Sequence, residues 1–552
     1  VTNDGLANSI INGATDWVYE EEFGDDNGIK WSPDGNKLAY YRFDESAVKE
    51  MHMPMYGGLY PELDTFKYPK AGEVNSDVQV FIHDLLTGIN HGVAVTKSAH
   101  YIPRFFWTKN EEQLCILTMN RHQNDLRFLL TEGTFPNNRI GTKEIFKEAT
   151  STYIDIHDNL IFLKDGKSFL WTSERDEYNH IYKFDYSGNV TQLTKGEWDV
   201  VEFMGYDEDK KNIYFSSSMN GATQKHLHSV DLTGKIKTLD NTPGHHSANF
   251  SANFSYRIHN HSDANTPPVI TLRDRKGEVV RTLKSNEELR NTLSDYDYSN
   301  KEFFTFTNTS GTELNCWKIL PSDFDETKEY PVYVAIYGGP GVNTVSDSWG
   351  GSNLMWYQYL AQEGYIVVSV DPRGTPLRGR KFEHSTYKKL GKLETEDFID
   401  FATYLGSQDY VDSDRIGIQG WSYGGFMTLL CMTKGAEVYS AGISVAPVTN
   451  WKYYDSVYTE RFMQTPQENE SGYEDNSPVN HADKLEGALL LVHGSADDNV
   501  HFQNSMEMVN ALVEANKDFD FFAYPDRNHG IYGGNTRLHL FNMMMDFVKE
   551  NF

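Results

Sequence analysis

The residue of clearest chemical potential is the serine in Gly420-Trp421-Ser422-Tyr423-Gly424-Gly425. Ile416-Gly417-Ile418-Gln419 before it reads as a short buried strand, and Phe426-Met427-Thr428-Leu429-Leu430-Cys431 after it as the start of a helix. A serine on so tight a strand-to-helix turn is pushed out of the fold, and flanking glycines permit the strained backbone this requires. Its hydroxyl is a weak nucleophile at neutral pH and needs a base, with a carboxylate to orient that base. Both follow in the order serine, acid, histidine. Ala488-Leu489-Leu490-Leu491-Val492-His493-Gly494 is a continuous apolar strand, and Ser495-Ala496-Asp497-Asp498-Asn499-Val500 comes next. Acids just past the carboxyl end of a parallel strand lie where such sheets place their sites, but spacing favours neither Asp497 nor Asp498. Phe519-Asp520-Phe521-Phe522-Ala523-Tyr524 alternates as a further strand, and the loop after it carries His529, at the same sheet edge as Ser422 and Asp497. His481, His493, His501 and His539 also lie near the end of the chain; His493 reads as a packed, hydrogen-bonded histidine, and His539 falls within the last helical pattern.

The elements that must position these residues are of two kinds. From residue 302 onward strands and helices alternate: 330–337 and 365–370 read as strands and 395–405 as an amphipathic helix, which gives a doubly wound, mostly parallel sheet. The first half instead carries many short alternating strands and an internal repeat. Asp185-Tyr186-Ser187-Gly188-Asn189-Val190 is echoed by Asp231-Leu232-Thr233-Gly234-Lys235-Ile236 and by Asp274-Arg275-Lys276-Gly277-Glu278-Val279, at offsets of 46 and 43 residues, with a relative at Asp84-Leu85-Leu86-Thr87-Gly88. Such a period in an all-β region reads as propeller blades of four strands, with Trp31-Ser32-Pro33-Asp34-Gly35 marking another blade turn. Residues 47–76, rich in Met, Pro, Tyr and Gly, break the rhythm and read as an extended arm or long loop. The reading is therefore a β-propeller at 1–295 followed by an α/β-hydrolase domain at 296–552.

Composition sets limits. A chain of 552 residues exceeds one core. Its net charge of −29, from 50 basic and 79 acidic residues, argues against nonspecific nucleic-acid binding and suits substrates with a positive end. No apolar run approaches a membrane span. Three scattered cysteines, Cys115, Cys316 and Cys431, have neither disulfide-framework nor zinc spacing, and neither metal nor cofactor is expected.

In this domain order, and in four strings, the chain resembles the prolyl oligopeptidase family of serine peptidases, in its dipeptidyl peptidase IV branch. The strings are Asp16-Trp17-Val18-Tyr19-Glu20-Glu21-Glu22, the serine hexapeptide, residues 451–461 (WKYYDSVYTER) and residues 493–502 (HGSADDNVHF). The resemblance implies Asp497 as the carboxylate of a Ser422-Asp497-His529 triad. It implies the Tyr337 phenol and the Tyr423 N–H as oxyanion donors, the latter being the usual donor after such a nucleophile. Glu21 and Glu22 would hold the free α-ammonium of a peptide, since a cation relieves the repulsion between adjacent carboxylates. Val448, Trp451, Tyr454, Tyr458 and Val500 would line an apolar pocket for a pyrrolidine ring. Asn499 would bond the carbonyl preceding proline, and Asp455 would favour exopeptidase action. Read without the resemblance, 451, 454 and 458 are one face of a helix, Tyr337 a strand-end aromatic, and Glu20-Glu21-Glu22 a solvated acidic turn.

The expected activity is release of X-Pro, and less well X-Ala, dipeptides from peptide amino termini. A tripeptidyl or endo-acting prolyl peptidase is the runner-up, and a non-catalytic interaction protein a remote third. The resemblance also implies a homodimer, with residues 56–72 and the last helix, 537–549, as contacts. Family members usually have eight blades, whereas this chain has room for about six, so the amino-terminal part of the propeller, with a substrate-gripping arginine, is expected to be missing. Mammalian members of the family are rich in cysteine and this chain is not, so the resemblance implies a bacterial protein, with a periplasmic or extracellular location expected.

Overall fold

The structure, a computed structural model, describes residues 1–95, 99–132 and 139–552. It divides into two compact units, one of residues 1–171, 183–191 and 450–475, the other of 172–182, 192–449 and 476–552.

The first half is a series of antiparallel sheets of the propeller kind. Three are four-stranded meanders: Ile161–Phe162 to Val190–Gln192, Val200–Asp207 to Ile236–Thr238, and His245–Phe250 to Val279–Lys284. The nine-stranded sheet before them joins two such groups through a short parallel pairing of Arg139 and Ile140 with Gly92 and Val93. The sequence repeat is a turn repeat. Each of Asp185, Asp231 and Asp274 closes the last hairpin of its meander, and its carboxylate accepts the N–H two residues on at 2.8, 2.8 and 2.9 Å. The glycine three residues on donates to the aspartate carbonyl at 3.0 Å in all three copies, with φ of 91°, 87° and 95°, where a side chain would be strained. Asp84 and Gly88 close an earlier hairpin with the same carboxylate bonds but one residue more. Five four-stranded groups thus form among the described residues where the period predicts about six. Part of the difference is the arm. Residues 47–76, read as an extended arm or long loop, carry a hairpin of Glu50–Met55 with Glu62–Lys67, a two-stranded sheet of its own.

The second half holds an eight-stranded sheet of strands β1 (Glu302–Thr307), β2 (Glu313–Ile319), β3 (Tyr330–Ile336), β4 (Ile366–Val370), β5 (Val411–Trp421), β6 (Ala441–Val445), β7 (Ala488–Gly494) and β8 (Asp520–Tyr524), in the order β1-β2-β4-β3-β5-β6-β7-β8. The first two strands are antiparallel additions, and the remainder is parallel. β3, β4 and β6 are buried along their whole length, as strands covered by helices on both faces must be. Helices Gly351–Gln362, Lys392–Gly406, Tyr423–Lys434, Gln503–Glu514 and Thr536–Asn551 supply that cover, and the core runs from Trp317 and Tyr333 through Ile443 and Val492 to Phe552. The three cysteines are buried and free, with thiols pushed well up by burial. Among the described residues no helix is long and apolar enough to cross a membrane.

Candidate active site

The parallel register decides which loops share an edge. Ile336 pairs with Gly420, Trp421 with Val445, Val445 with Val492, and Gly494 with Tyr524. The segments just after β3, β5, β7 and β8, which carry Tyr337, Ser422, Asp497 and His529, therefore leave the sheet at one end.

Ser422 sits at φ 59° and ψ −118°, a conformation that costs an L residue about 1–3 kcal/mol. Its N–H donates to the Val445 carbonyl at 2.8 Å, and its carbonyl accepts from Phe426 at 3.0 Å, so the strained residue is bolted to β6 on one side and begins the helix Tyr423–Lys434 on the other. The glycines are needed for contact. A Cβ on Gly420 would lie 2.2 Å from the Gly424 backbone, and one on Gly424 would lie 2.5 Å from the Ile336 carbonyl oxygen. Tyr423 is buried, with its ring centroid 5.9 Å from that of half-buried Tyr337 and its phenol donating to Glu394 at 2.7 Å.

Burial separates the two acids that spacing left equal: Asp497 is buried and Asp498 exposed. The Asp497 carboxylate accepts N–H bonds from Asn499 at 3.1 Å and Val500 at 2.9 Å on one oxygen, and faces His529 Nδ1 at 2.7 Å and His493 Nε2 at 3.1 Å on the other. Burial alone would raise its pKa, but the hydrogen bonds from His493 and His529 outweigh that and hold it at about 2. A carboxylate only accepts, so His529 carries its proton on Nδ1 and presents an Nε2 lone pair, the form a general base needs. The His529 carbonyl accepts from the Trp421 indole at 3.0 Å, and the Ala496 N–H donates to Arg527 at 3.0 Å, which ties the histidine loop to the serine turn and to the acid loop. Val448, Val500 and half-buried Asn499 belong to the same unit.

The remaining expected residues gather in the other unit. Asp16 caps the short helix Trp17–Glu21, accepting from the Tyr19 N–H at 3.1 Å, and this sets where Glu21 and Glu22 emerge. Glu21 is exposed and Glu22 half-buried. The Glu22 carboxyl is pushed well up, first by burial and then by the Asp455 charge, and the Asp455 carboxyl is itself raised by burial. Asp455 also accepts from the Tyr458 N–H at 2.9 Å. Arg461 reaches the Glu22 carbonyl at 3.1 Å and Gln123 at 2.9 Å.

The aromatic spacing is not a helix face. Asp455 caps the helix Ser456–Met463, so Trp451 and Tyr454 lie ahead of it and only Tyr458 lies within. The three rings still meet, Trp451 stacked on Tyr458 at 5.7 Å and Tyr454 edge-on to both at 5.8 and 5.4 Å. A flat apolar group fits walls of this kind.

Several participants escaped sequence reasoning. Glu394 is the N3 residue of the helix Lys392–Gly406, its carboxylate accepting the Gly391 N–H at 3.1 Å, but nothing local pointed to Tyr423. Arg461 and Gln123 are 338 residues apart and became neighbours only on folding.

Residues 1–268 match the family described as "Dipeptidyl peptidase IV (DPP IV) N-terminal region", and residues 353–552 match "Prolyl oligopeptidase family". Dipeptidyl aminopeptidase B of Saccharomyces cerevisiae is 33% identical over 596 residues, covering 100% of this chain and 72% of the relative. Prolyl endopeptidase FAP of Mus musculus is also 33% identical, over 100% of this chain and 76% of its own length. The crystal structure of Porphyromonas gingivalis dipeptidyl peptidase 4 superposes with a TM-score of 0.96 at 43% identity, covering 100% of this chain and 78% of that one.

Proposed function

Because the chain belongs to the prolyl oligopeptidase family, in its dipeptidyl peptidase IV branch, we propose that Ser422, Asp497 and His529 are the triad that cuts its substrate. The activity is that of a serine dipeptidyl exopeptidase. His529 Nε2 takes the Ser422 proton as Oγ adds to the carbonyl after the second residue. The Tyr337 phenol and the Tyr423 N–H hold the oxyanion. Collapse expels the peptide amine, which takes the proton from His529. Water activated by the same imidazole then releases the dipeptide and restores Ser422. The observation that carries this reading is the strained Ser422 turn at the same sheet edge as an Asp497–His529 bond of 2.7 Å.

Glu21 and Glu22 take the substrate ammonium. Asp455 favours the exopeptidase. Trp451, Tyr454, Tyr458, Val448 and Val500 receive proline, or less well alanine, and Asn499 bonds the carbonyl before it. On this reading 1–295 is the propeller and 296–552 the catalytic domain, and the protein is bacterial, periplasmic or extracellular. It pairs with a second copy through the arm and the last helix. Support for the pairing is the exposed apolar tip of the arm, with Leu59 at 92% and Tyr60 at 79%.

Gly-Pro-p-nitroanilide is the test substrate. Release of nitroaniline, abolished by fluorophosphonate labelling of Ser422, is expected. Blocking the substrate amine is expected to lower kcat/KM by one to two powers of ten, from loss of a charge-assisted contact of about 1.5–3 kcal/mol. Equal cleavage of the blocked substrate would remove Glu21 and Glu22 from the reading and favour the endo-acting alternative. Leu59→Asp with Tyr60→Asp is expected to yield monomers by light scattering.

A further inference from the structure

We propose that His493 is a positioning residue of the catalytic relay, a second imidazole that clamps the Asp497 oxygen used by His529 and so governs how much of that carboxylate's charge His529 feels. The proposal deepens the triad reading and rests on it.

His493 is fully buried at the end of β7, and each of its ring nitrogens is engaged. Nε2 lies 2.8 Å from the Val500 carbonyl oxygen and 3.1 Å from Asp497 Oδ2. A carbonyl only accepts, so Nε2 carries the hydrogen and shares it between the two oxygens. Nδ1 lies 2.7 Å from the hydroxyl of Ser505, which is itself buried in the helix Gln503–Glu514. The Phe502 ring closes one side, edge-on at 5.6 Å. The imidazole can neither flip nor shift without losing one of these bonds.

Register explains why it meets His529. His493 pairs with Ala523 and Gly494 with Tyr524, so the two histidines leave adjacent strands at the same end. Gly494 lets the strands close there, since a Cβ on it would lie 2.2 Å from the Arg527 carbonyl oxygen. One carboxylate oxygen thus serves two N–H donors, from His493 and His529, and these are the titratable groups facing Asp497. Among the described residues, the titratable group bonded to His493 is Asp497, beside the neutral Ser505 and Phe502.

Two donors on one oxygen divide its charge. With His493 gone, that charge falls on His529 alone and holds the imidazolium more tightly, so the base is freed of its proton only at higher pH. A histidine that merely fills space predicts no such movement.

The experiment is the pH profile of kcat/KM for Gly-Pro-p-nitroanilide with the full chain and with His493→Phe, His493→Gln, Ser505→Ala and Asp497→Asn. His493→Phe keeps a ring but loses the donor. It is expected to lower kcat on the order of 10- to 100-fold, with KM little changed, and to move the acid limb to higher pH. His493→Gln, whose amide can still donate, is expected to restore the limb. Ser505→Ala removes only the outer anchor and is expected to move the limb the same way by less; it decides the matter if His493→Phe does not fold. An unmoved acid limb in both His493→Phe and Ser505→Ala, or in Ser505→Ala alone where the other is unfolded, overturns the proposal. Asp497→Asn separates the two readings: if it keeps wild-type activity the triad itself fails, whereas an inactive Asp497→Asn beside unmoved limbs sinks the role of His493 alone.

Discussion

Two places in the same unit put one aspartate beside two histidines, and they have opposite characters. At the sheet edge Asp497 faces His493 and His529. In the last meanders Asp240 lies with His246 and His259, ligand atoms of all three falling within 4.8 Å. The difference is what neutralises the carboxylate. Asp497 is met by imidazole and backbone N–H groups, so its charge acts on His529. Asp240 is held by Arg273 at 2.8 Å and by buried Arg257 at 3.4 Å. The histidines there bond each other, His246 Nδ1 to His259 Nε2 at 3.0 Å, while His246 Nε2 donates to the Thr242 carbonyl at 2.8 Å. Burial pushes His246 down to about 4 and His259 to about 3, the nearby arginines adding to the latter, so both are neutral near pH 7. Their charge-compensated surroundings also oppose a dication. Residue types in proximity do not make a site; the counter-charge decides whether the carboxylate is used for chemistry or for architecture.

The largest effect should come from neutralising each aspartate. Asp497→Asn is expected to lower kcat about 10⁴-fold while leaving the melting temperature within a few degrees, because the histidine loses the partner that fixes its tautomer. Asp240→Asn is expected to leave kcat unchanged but to cost about 3–5 kcal/mol in denaturant unfolding, since Arg257 is left buried without its partner. The reverse pattern would break the comparison.

Acid should next resolve the two groups in sequence. His246 and His259 have lowered native pKa values, so the unfolded chain binds protons first. Their stabilisation is intact above pH 6.5 and is lost as pH falls toward 4 and 3, at about 1.4 kcal/mol per pH unit for each histidine. Asp497, depressed from 3.8 to about 2, keeps its full stabilisation above about pH 3.8 and loses it as pH falls from there through about 2. Thermal melts from pH 8 to 3 should show the first window flattened in His246→Phe and untouched in His493→Gln.

A third buried carboxyl sharpens the rule, for Glu394 is bonded by neither imidazole nor guanidinium. Burial raises it to about 7, the Tyr423 phenol only partly offsetting this. Its favourable, protonated state is present below about pH 4.5 and lost as pH rises through 7. Glu394→Gln is therefore expected to gain stability relative to the parent above pH 7, by about 1 kcal/mol, and to change kcat no more than a few-fold. The smallest expected effect is of zinc on the Asp240 group, where neither addition nor chelation should move the melting temperature.

Much of the sheet edge that carries the candidate site was legible because its signals are local. The glycines of 420–425 announce a crowded turn, the apolar runs before Asp497 and His529 announce buried parallel strands, and the Asp-to-Gly turns repeat at near-constant spacing because each closes the same hairpin. The hairpin within 47–76 was missed because its Pro, Gly and Met content hides the alternation of its strands. The alternative reading of the aromatic trio as one helix face fails because Asp455 caps the chain in the middle of it, which spacing cannot show.

What the amino-acid sequence determined by itself is the order of the chemistry along the chain and the kind of fold that displays it, since both follow from backbone sterics and hydrophobic period. Only the tertiary structure decided which carboxylate is buried, that Glu22 and Asp455 share a buried environment that raises both, and that His493 turns its N–H onto the oxygen His529 uses. These depend on burial and on donors from distant segments, and the energy of a charge or a proton is set by what surrounds it in space rather than by its neighbours along the chain.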